Sequence, residues 1–254
     1  MNAIWTIATK EWREMFQTPL AWTVLGIFFA ITAYIFRGGV VSYQLSQMQF
    51  QTYGMDQAQS LTNWAVMPIF ANGSVLLLLM MPLLTMRLIA TEKQNETWPA
   101  IVSSPITPWQ IILGKYLGLL FFLAIITVLL AILPLTLYPY GNPDTGQILA
   151  AFLGFFLLAA SFGAVGLAAS SATEKPMVAA MITFGILLML WIISMVGQSG
   201  GGGSPVLDYL SIINHYYQFL QGIVTTTDIS YFVLLSASGL TFARHRLLAE
   251  KIRG

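Results

Sequence analysis

Six long apolar runs, separated by short polar segments, dominate the pattern of this sequence. They cover about residues 20–37, 69–90, 112–136, 148–171, 177–197 and 229–246. Each run comes close to the roughly 20 residues that an α-helix needs to cross the hydrocarbon core of a bilayer. The last run is short, and it spans only if Arg244 and Arg246 snorkel to the membrane surface. The pattern therefore predicts an all-α, polytopic membrane protein with six transmembrane helices.

An amphipathic segment precedes the first run. A helix over residues 2–17 would place Trp5, Ala8, Trp12 and Met15 on one face, opposite the polar residues Thr6, Lys10, Arg13 and Gln17. Pro19 follows and ends the segment. We therefore expect an elbow helix over residues 1–19 that lies in the membrane interface and leads into a transmembrane domain over residues 20–254.

A second amphipathic segment lies before the last run. Leu210, Ile213, Tyr217, Leu220 and Val224 recur at spacings of three and four residues. This stripe predicts a surface helix within a polar loop at 198–228. Packing on the ends of the bundle explains the stripe more economically than a gate does. The glycine-rich run at 199–204 is interpreted as a flexible part of this loop.

Composition agrees with a membrane protein and excludes several kinds of chemistry. Hydrophobic residues make up 57% of the 254 positions, charged residues only 8%, and the mean hydropathy is +0.75. A soluble domain could not cover its surface with so few charges. The net charge of +1 gives no basic excess for nucleic acid, and the absence of cysteine excludes disulfides, thiolate nucleophiles and cysteine metal sites.

The charges predict the orientation of the six helices. If both termini lie on one side, that side holds ten of the eleven Lys and Arg residues, and the other side holds only Arg37. Every Glu falls on the first side and every Asp on the second. Cytoplasmic loops are enriched in Lys and Arg. We therefore expect both termini, and the polar loop at 91–111, in the cytoplasm.

No catalytic or metal site is apparent in the sequence. Gly114-Lys115 does not belong to a phosphate-binding loop, because Tyr116 follows the lysine and no glycine lies five residues before Gly114. The two histidines, His215 and His245, are predicted on opposite sides of the membrane and cannot share a site. We interpret each as an interfacial polar residue. We also interpret the outer residues Asp144, Asp208 and Asp228 as solvated loop positions.

Three functions are weighed for such a membrane protein. The first is a protein driven by a partner that supplies energy, the main alternative is an ion-gradient-driven secondary transporter, and the third is a non-transporting membrane scaffold. Transporters of the first kind usually carry ionisable groups inside the membrane. The charged residues fall at the predicted span ends or in the loops, and the polar residues considered within the spans carry hydroxyl groups, namely Thr32, Thr127, Thr183, Ser161, Ser194 and Ser236. Their expected role is hydrogen bonding between helices. A protein without its own energy-coupling group is expected to take energy from a partner.

Small residues form a stripe on the fourth predicted span. Ala160, Ala164 and Ala168 recur every four residues, with Gly163 and Gly166 beside them. Small residues at this spacing let helices approach closely. The stripe is compatible with packing inside the chain and with a dimer seam.

Several short motifs, in this order, give the sequence a family resemblance. They are MRLIA at 86–90 followed by Glu92, Lys93 and Thr97, then SSPIT at 103–107 and IILGK at 111–115. TPLAW at 18–22, GNPD at 141–144, the small-residue stripe and the region from His215 to Phe232 extend the match over nearly the full chain. The chain resembles type-2 ABC exporter permeases. It is most similar to the gliding-motility-type subfamily and also similar to the permease for nitrous-oxide-reductase maturation.

The resemblance implies a role for the polar loop at 91–111. It implies a cytoplasmic coupling helix that fits into a cleft of an ATPase subunit. It also implies that the ATPase binds ATP and Mg²⁺ and that this chain binds no cofactor. The implied coupling residues are Arg87, Glu92, Lys93, Glu96, Thr97, Trp98, Ser103, Ser104, Pro105 and Lys115. Lys10, Glu11, Arg13 and Glu14 of the elbow helix would make a second contact. The alternative is an ordinary solvated loop whose charges only set the topology.

The resemblance also implies partners and a location. It implies two ABC ATPase subunits, a second copy of this permease or a related one, and a membrane protein with a large extracytoplasmic domain, all in the bacterial plasma (inner) membrane. The sequence departs from the family where glycine-threonine-leucine-glutamate is usual, because it has Glu96-Thr97-Trp98-Pro99. Pro99 lacks a backbone donor, so a coupling helix should end before Trp98 or begin at Pro99.

Overall fold

The structure is a computed structural model that describes residues 3–53, 60–96, 106–139, 143–199 and 209–253. Within these ranges the regular elements are helices, and there is no strand. In chain order they are α1 (Ala3–Gln17), α2 (Pro19–Tyr53), a π-helical turn (Thr62–Val66), α3 (Met67–Thr85), α4 (Ala90–Gln94), α5 (Pro108–Leu135), α6 (Thr145–Ala172), α7 (Pro176–Ser199), α8 (Ile212–Leu220) and α9 (Thr226–Arg253).

Five stretches of helix are long and apolar enough to cross a membrane, counted over the ranges just given. They are Pro19–Gln49, Thr62–Gln94, Pro108–Leu135, Thr145–Ala172 and Pro176–Ile193. They correspond to the first five predicted spans. Helix α9 covers the sixth and packs along α6.

Helix α6 lies at the centre of the bundle and contacts α3, α5, α7, α8 and α9. Its small residues make these contacts possible. A Cβ on Gly154 would lie 2.5 Å from Phe219 Cβ of α8, and one on Gly166 would collide with the side chain of Thr85. Ala164 is fully buried. The small-residue stripe is therefore used for packing inside the chain.

The expected hydrogen bonds between helices are wrong for four hydroxyl residues in the spans. Thr32, Thr127 and Thr183 each donate to the carbonyl four residues earlier in the same helix. Ser161 donates to the carbonyl of Leu158, three residues earlier. A hydroxyl in an apolar bundle finds this nearby acceptor without help from another helix. The hydroxyl donors of these four residues are therefore satisfied within their own helices.

Two features of the loops differ from the sequence prediction. Helix α2 continues through Gly38 and Gly39 into the predicted outer loop, where Gly39 lies against the backbone of Trp64. The face of α8 is also different, because Ile212, His215, Tyr216, Phe219 and Leu220 are buried, whereas Leu210, Tyr217 and Val224 are exposed. The predicted stripe is wrong at Leu210, Tyr217 and Val224, but Leu220 is buried as predicted and Ile213 packs against the core.

Candidate functional site

A buried ion triad joins three elements at the end of the bundle that carries α1. The ammonium group of Lys115 on α5 pairs with the carboxylate of Glu11 on α1 and lies 2.8 Å from Glu92 Oε1 on α4. The side chains of Lys115 and Glu11 are only 3% and 8% exposed, and that of Glu92 is 16% exposed. One lysine therefore connects α1, α4 and α5 through charged hydrogen bonds.

Burial makes this triad sensitive to the loss of any member. It raises the pKa of Glu11 above its ordinary value, and the positive charge of Lys115 opposes that rise. A buried charge that loses its partner is costly, because neither water nor another group replaces the lost interaction. The carboxylates of Glu11 and Glu92 therefore need the positive charge of Lys115 nearby. These two ion pairs hold α1 and α4 to α5.

Two glycines on α5 allow α1 to approach closely enough for the triad to form. A Cβ on Gly114 would lie 2.7 Å from Ile7 Cβ, and one on Gly118 would lie 2.7 Å from Glu11 Cβ. The ring of Phe121, one turn further on, contacts Trp5 and Trp12 edge to face at 5.8 Å in each case. Small residues four positions apart thus form a groove for α1, as is common at tight helix crossings.

The chain turns sharply between α3 and α4, and Ser170 of α6 holds this turn. Its Oγ accepts hydrogen bonds from the backbone N–H groups of Ile89 and Ala90, each at 3.1 Å, and donates to the carbonyl of Met86 at 3.2 Å. The first N–H groups of a helix have no partner within it. Ser170 supplies that partner for α4, so α6 fixes the direction in which α4 leaves the bundle.

Lys93 ties the other side of α4 to the bundle. Its Nζ lies 2.6 Å from the carbonyl oxygen of Ser171 and 2.6 Å from Glu250 Oε1 on α9. Arg244, two turns earlier on α9, lies over the ring of Trp109 at 5.3 Å. Helix α4 is therefore connected to α5, α6 and α9 through charged or polar contacts. Helix α4 is thus linked to α1 through Lys115 and to the C-terminal part of α9 through Lys93. These two partners lie at the same end of the bundle.

Helix α4 ends in an unusual backbone conformation. The N–H of Asn95 binds the carbonyl of Thr91, and the N–H of Glu96 binds that of Lys93. Glu96 then has a φ of +56°, a conformation that non-glycine residues adopt infrequently. The helix thus ends before Trp98, and the chain changes direction at Glu96.

A cavity of about 640 Å³ opens beside the triad. Lys10, Glu14, Arg87 and Asn95 contribute polar groups to its lining, while Leu20, Leu84 and Leu88 contribute apolar ones. Lys115, Glu11 and Glu92 also line it. The cavity therefore lies between α1, the end of α3, and α4, and is bordered by the residues that connect these elements.

The family of the chain is clear from comparison with known families. A family model described as an ABC-2 family transporter protein matches residues 5–244. The chain belongs to this family. No curated protein matches it.

Membership in the ABC-2 family confirms the resemblance to type-2 ABC permeases at the level of the family. This ABC-2 chain is a multi-pass membrane protein and the permease subunit of an ABC transporter. Subunits of this kind lack an ATPase motif of their own, and the family implies an ATPase subunit as partner. The match includes α4, the triad and all of α1 except its first two residues.

The structure brings together some of the predicted site residues of this ABC-2 chain and separates others. Glu11, Glu92 and Lys115 form the triad, while Lys93 binds Glu250. Lys10 and Glu14 form an exposed pair at 3.3 Å, and Arg13, Arg87 and Glu96 are exposed. Thr97, Trp98, Pro99, Ser103, Ser104 and Pro105 lie outside the described residues.

Sequence reasoning missed two residues of this site. The sequence analysis gave Ser170 no role, and it counted Glu250 only among the charges that set the topology. Their roles depend on contacts with positions about 80 and 157 residues away. The one usable signal was that Ser170 is a polar residue at the end of an otherwise apolar helix.

The opposite end of the ABC-2 bundle holds a second polar cluster, and two of its members correct a prediction. His215 and Asp228 are buried, and His215 Nδ1 lies 2.6 Å from Asp228 Oδ1. Neither is a solvated or interfacial residue as the sequence suggested. Asp144 accepts hydrogen bonds from the N–H groups of Gly146 and Gln147, so it caps α6. Asp208 and the glycines at 200–203 lie outside the described residues.

Proposed function

We propose that this chain is the membrane-spanning subunit of an ATP-driven exporter, and that a separate ATPase subunit binds at the end of the bundle that carries α1. ATP and Mg²⁺ are bound by the ATPase. The observation that carries the proposal is the triad of Glu11, Lys115 and Glu92, because it makes α1, α4 and α5 one connected unit beside an open cavity.

The proposed topology has six transmembrane helices, with α9 as the sixth and both termini in the cytoplasm of a bacterial cell. Two observations support it. Lys93 pairs with Glu250, so the α9 end of the chain lies beside the α4 segment. The Lys and Arg residues near this end outnumber those elsewhere, as cytoplasmic segments require. The plasma membrane is the proposed location, with α1 as an elbow helix in its cytoplasmic interface.

The proposed mechanism transmits a rigid movement from the ATPase to the bundle. Closure of the ATPase pair displaces α4, and the Glu92–Lys115 contact carries the displacement to α5. Glu11 carries the same displacement to α1. Packed elements joined in this way move as rigid bodies, whereas a loose loop would absorb the movement. The loop at 91–111 acts as the coupling element in this mechanism. The accessible charges at this end of the bundle are Glu96 of the loop, Arg87 just before it, and Lys10, Arg13 and Glu14 of α1.

The proposed assembly follows from the subfamily that the sequence resembles. It contains two ATPase subunits and a second copy of this chain or a related permease. A membrane protein with a large extracytoplasmic domain completes it, as in gliding-motility-type systems. The energy of ATP hydrolysis drives substrate translocation or mechanical work outside the cytoplasm.

Co-expression with an ABC ATPase subunit from the same genome tests the proposal. We expect a stable complex and vanadate-sensitive hydrolysis in nanodiscs that rises when the permease is present. Lys115→Gln should leave the ATPase bound but remove the stimulation, because the link between α4 and α5 is lost. Arg37→Gln, at the opposite end, is the matched control and should leave the stimulation unchanged. Absence of both complex and stimulation would contradict the proposal.

Charge reversal at exposed positions separates binding from folding. Arg13→Glu with Arg87→Glu changes only exposed side chains, so the permease should fold normally and lose affinity for the ATPase. Unchanged affinity would mean that the ATPase does not bind here. Transport driven by an ion gradient without the ATPase would instead identify a secondary transporter. A complex that forms without any nucleotide turnover would identify a scaffold.

A further inference from the structure

The cavity beside the triad lies at the depth of the membrane surface. Leu20 and Ala21 from the first turn of α2 line it, together with Leu83 and Leu84 from the end of α3. Trp22, the next residue of α2, is 62% exposed. Tryptophans are enriched where the hydrocarbon of a bilayer meets its polar head groups. The cavity therefore opens at the depth that phospholipid head groups occupy.

An exposed apolar stripe on α3 leads to this cavity. Val75, Leu79 and Leu83 recur every four residues and are 41%, 53% and 45% exposed. Residues four positions apart lie on one face of a helix, so the stripe runs along α3 from its middle towards its end. Leu83 also lines the cavity. An acyl chain that lies against this stripe in the membrane thus has its polar end at the cavity.

The charges that line the cavity balance one another. Among the described residues, three basic side chains face three acidic ones there, namely Lys10, Arg87 and Lys115 with Glu11, Glu14 and Glu92. The triad members are largely buried, whereas the other three side chains are exposed. Arg87 forms no ion pair within the described ranges. A molecule in the cavity therefore meets a neutral site with a guanidinium group still available to an anion.

We propose that this cavity binds the head group of a phospholipid that carries both a phosphate and a primary ammonium group, with an acyl chain along the stripe of α3. The phosphate binds the guanidinium group of Arg87, and the ammonium group binds the exposed carboxylate of Glu14. Such a head group is neutral as a whole and preserves the charge balance of the lining. A lipid with a net negative charge would instead add repulsion from the two carboxylates of the triad.

The size of the cavity suits the polar end of such a lipid. Pockets for small molecules measure about 300–1,000 Å³, and this cavity measures about 640 Å³. The acyl chains lie outside it, and burial of apolar surface contributes about 25 cal/mol per Å². The stripe of α3 therefore adds affinity that a free head group lacks. Bound in this way, the lipid connects Glu14 of α1 to Arg87 after α3 and holds the N-terminal helix against the bundle.

The purified permease without an ATPase tests this proposal, so the outcome is independent of the proposed ATPase partner. The permease is delipidated in detergent, and native mass spectrometry measures the binding of phosphatidylethanolamine, phosphatidylglycerol and free phosphorylethanolamine. We expect one phosphatidylethanolamine per chain, bound about tenfold more tightly than phosphatidylglycerol because the latter lacks the charged hydrogen bond to Glu14. Equal binding of the two lipids overturns the proposal. Displacement of the lipid by an equal concentration of phosphorylethanolamine also overturns it, because the ligand would then be a soluble phosphate compound.

Two variants test the assigned contacts. Arg87→Gln should weaken the binding of phosphatidylethanolamine by about tenfold or more, because a charged hydrogen bond to the phosphate is lost. Arg13→Gln is the matched control, since Arg13 is also exposed but is not among the described residues that line the cavity. Glu14→Gln should remove the preference for phosphatidylethanolamine over phosphatidylglycerol. Equal effects of the two arginine variants, or a preference that survives Glu14→Gln, overturn the proposal.

A further variant covers the case in which Arg87→Gln does not fold. Thr91 lines the cavity and is half-buried, so Thr91→Phe fills part of the cavity while keeping every charge. This variant should lose the bound phosphatidylethanolamine, because the head group no longer has room. Its unfolding temperature without lipid, compared with that of the parent, shows whether it folds. Unchanged lipid binding by the folded variant overturns the proposal, because the lipid would then bind elsewhere.

Discussion

Lys115 Nζ lies 2.8 Å from Glu92 Oε1, across 23 positions of sequence and between two helices. The same ammonium group pairs with Glu11, 104 positions away. These two contacts make Lys115 the residue through which the N-terminal helix, the segment after α3 and the start of α5 meet.

Replacing Lys115 by methionine should destabilise the permease by about 3–5 kcal/mol, because two buried carboxylates lose their partner. Thermal unfolding in detergent measures the effect. Lys10→Met is the matched control, since the Lys10–Glu14 pair is 57% and 51% exposed and such pairs contribute about 0–1 kcal/mol. Adding Glu11→Gln and Glu92→Gln to Lys115→Met should recover much of the loss. Equal stability of the Lys115 and Lys10 variants would show that the triad is not a buried unit.

The pKa of Glu11 predicts a pH dependence of stability. Burial raises it above the ordinary value of 4.5, so the folded state binds this proton more tightly than the unfolded state does. The contribution of Glu11 to stability is therefore present at and below pH 4.5 and is lost as pH rises through the raised pKa. Glu11→Gln should make the unfolding free energy less dependent on pH just above 4.5. Parallel pH profiles for variant and parent would contradict this.

Gly118 should not tolerate a side chain. A Cβ there would lie 2.7 Å from Glu11 Cβ and 3.1 Å from the carbonyl oxygen of Ala8, so Gly118→Ala forces α1 away from α5. Overpacking of this kind costs about 1–3 kcal/mol. Gly185→Ala is the control, because no atom lies within 4 Å of the added carbon. Unfolding temperature and ATPase stimulation should both fall for Gly118→Ala only. The same effect in both variants would exclude a specific role for the α1–α5 contact.

Ser170→Ala should weaken the turn between α3 and α4. It removes the acceptor for the N–H groups of Ile89 and Ala90, and a buried donor without a partner costs about 1–3 kcal/mol. Ser161→Ala is the control, since that hydroxyl serves only a carbonyl of its own helix. Hydrogen exchange of the Ile89 and Ala90 amides should become faster in the Ser170 variant alone. Unchanged exchange at these two amides would show that Ser170 does not hold the turn.

Part of the fold was predictable because it depends on local sequence patterns. The six apolar runs and the amphipathic N-terminal helix depend on residues that lie close together in sequence. Helix ends were less accurate, as α2 shows by extending to Tyr53. Periodicity could not choose the buried face of α8, because Tyr217 and Phe219 are both aromatic and only the contact of Phe219 with Gly154 of α6 distinguishes them.

The sequence by itself determined that this chain crosses a membrane, that it has no cysteine chemistry or phosphate-binding loop, and which residues carry its few charges, because these properties are additive along the chain. Only the tertiary structure decided how the charges are paired. The family resemblance implied that Lys115 is a coupling residue, but its partners Glu11 and Glu92 are determined by the helix crossing at Gly114 and Gly118. His215 and Asp228 changed from surface residues to a buried pair in the same way. Burial and pairing depend on which helices meet, and that is set by contacts between positions far apart in sequence.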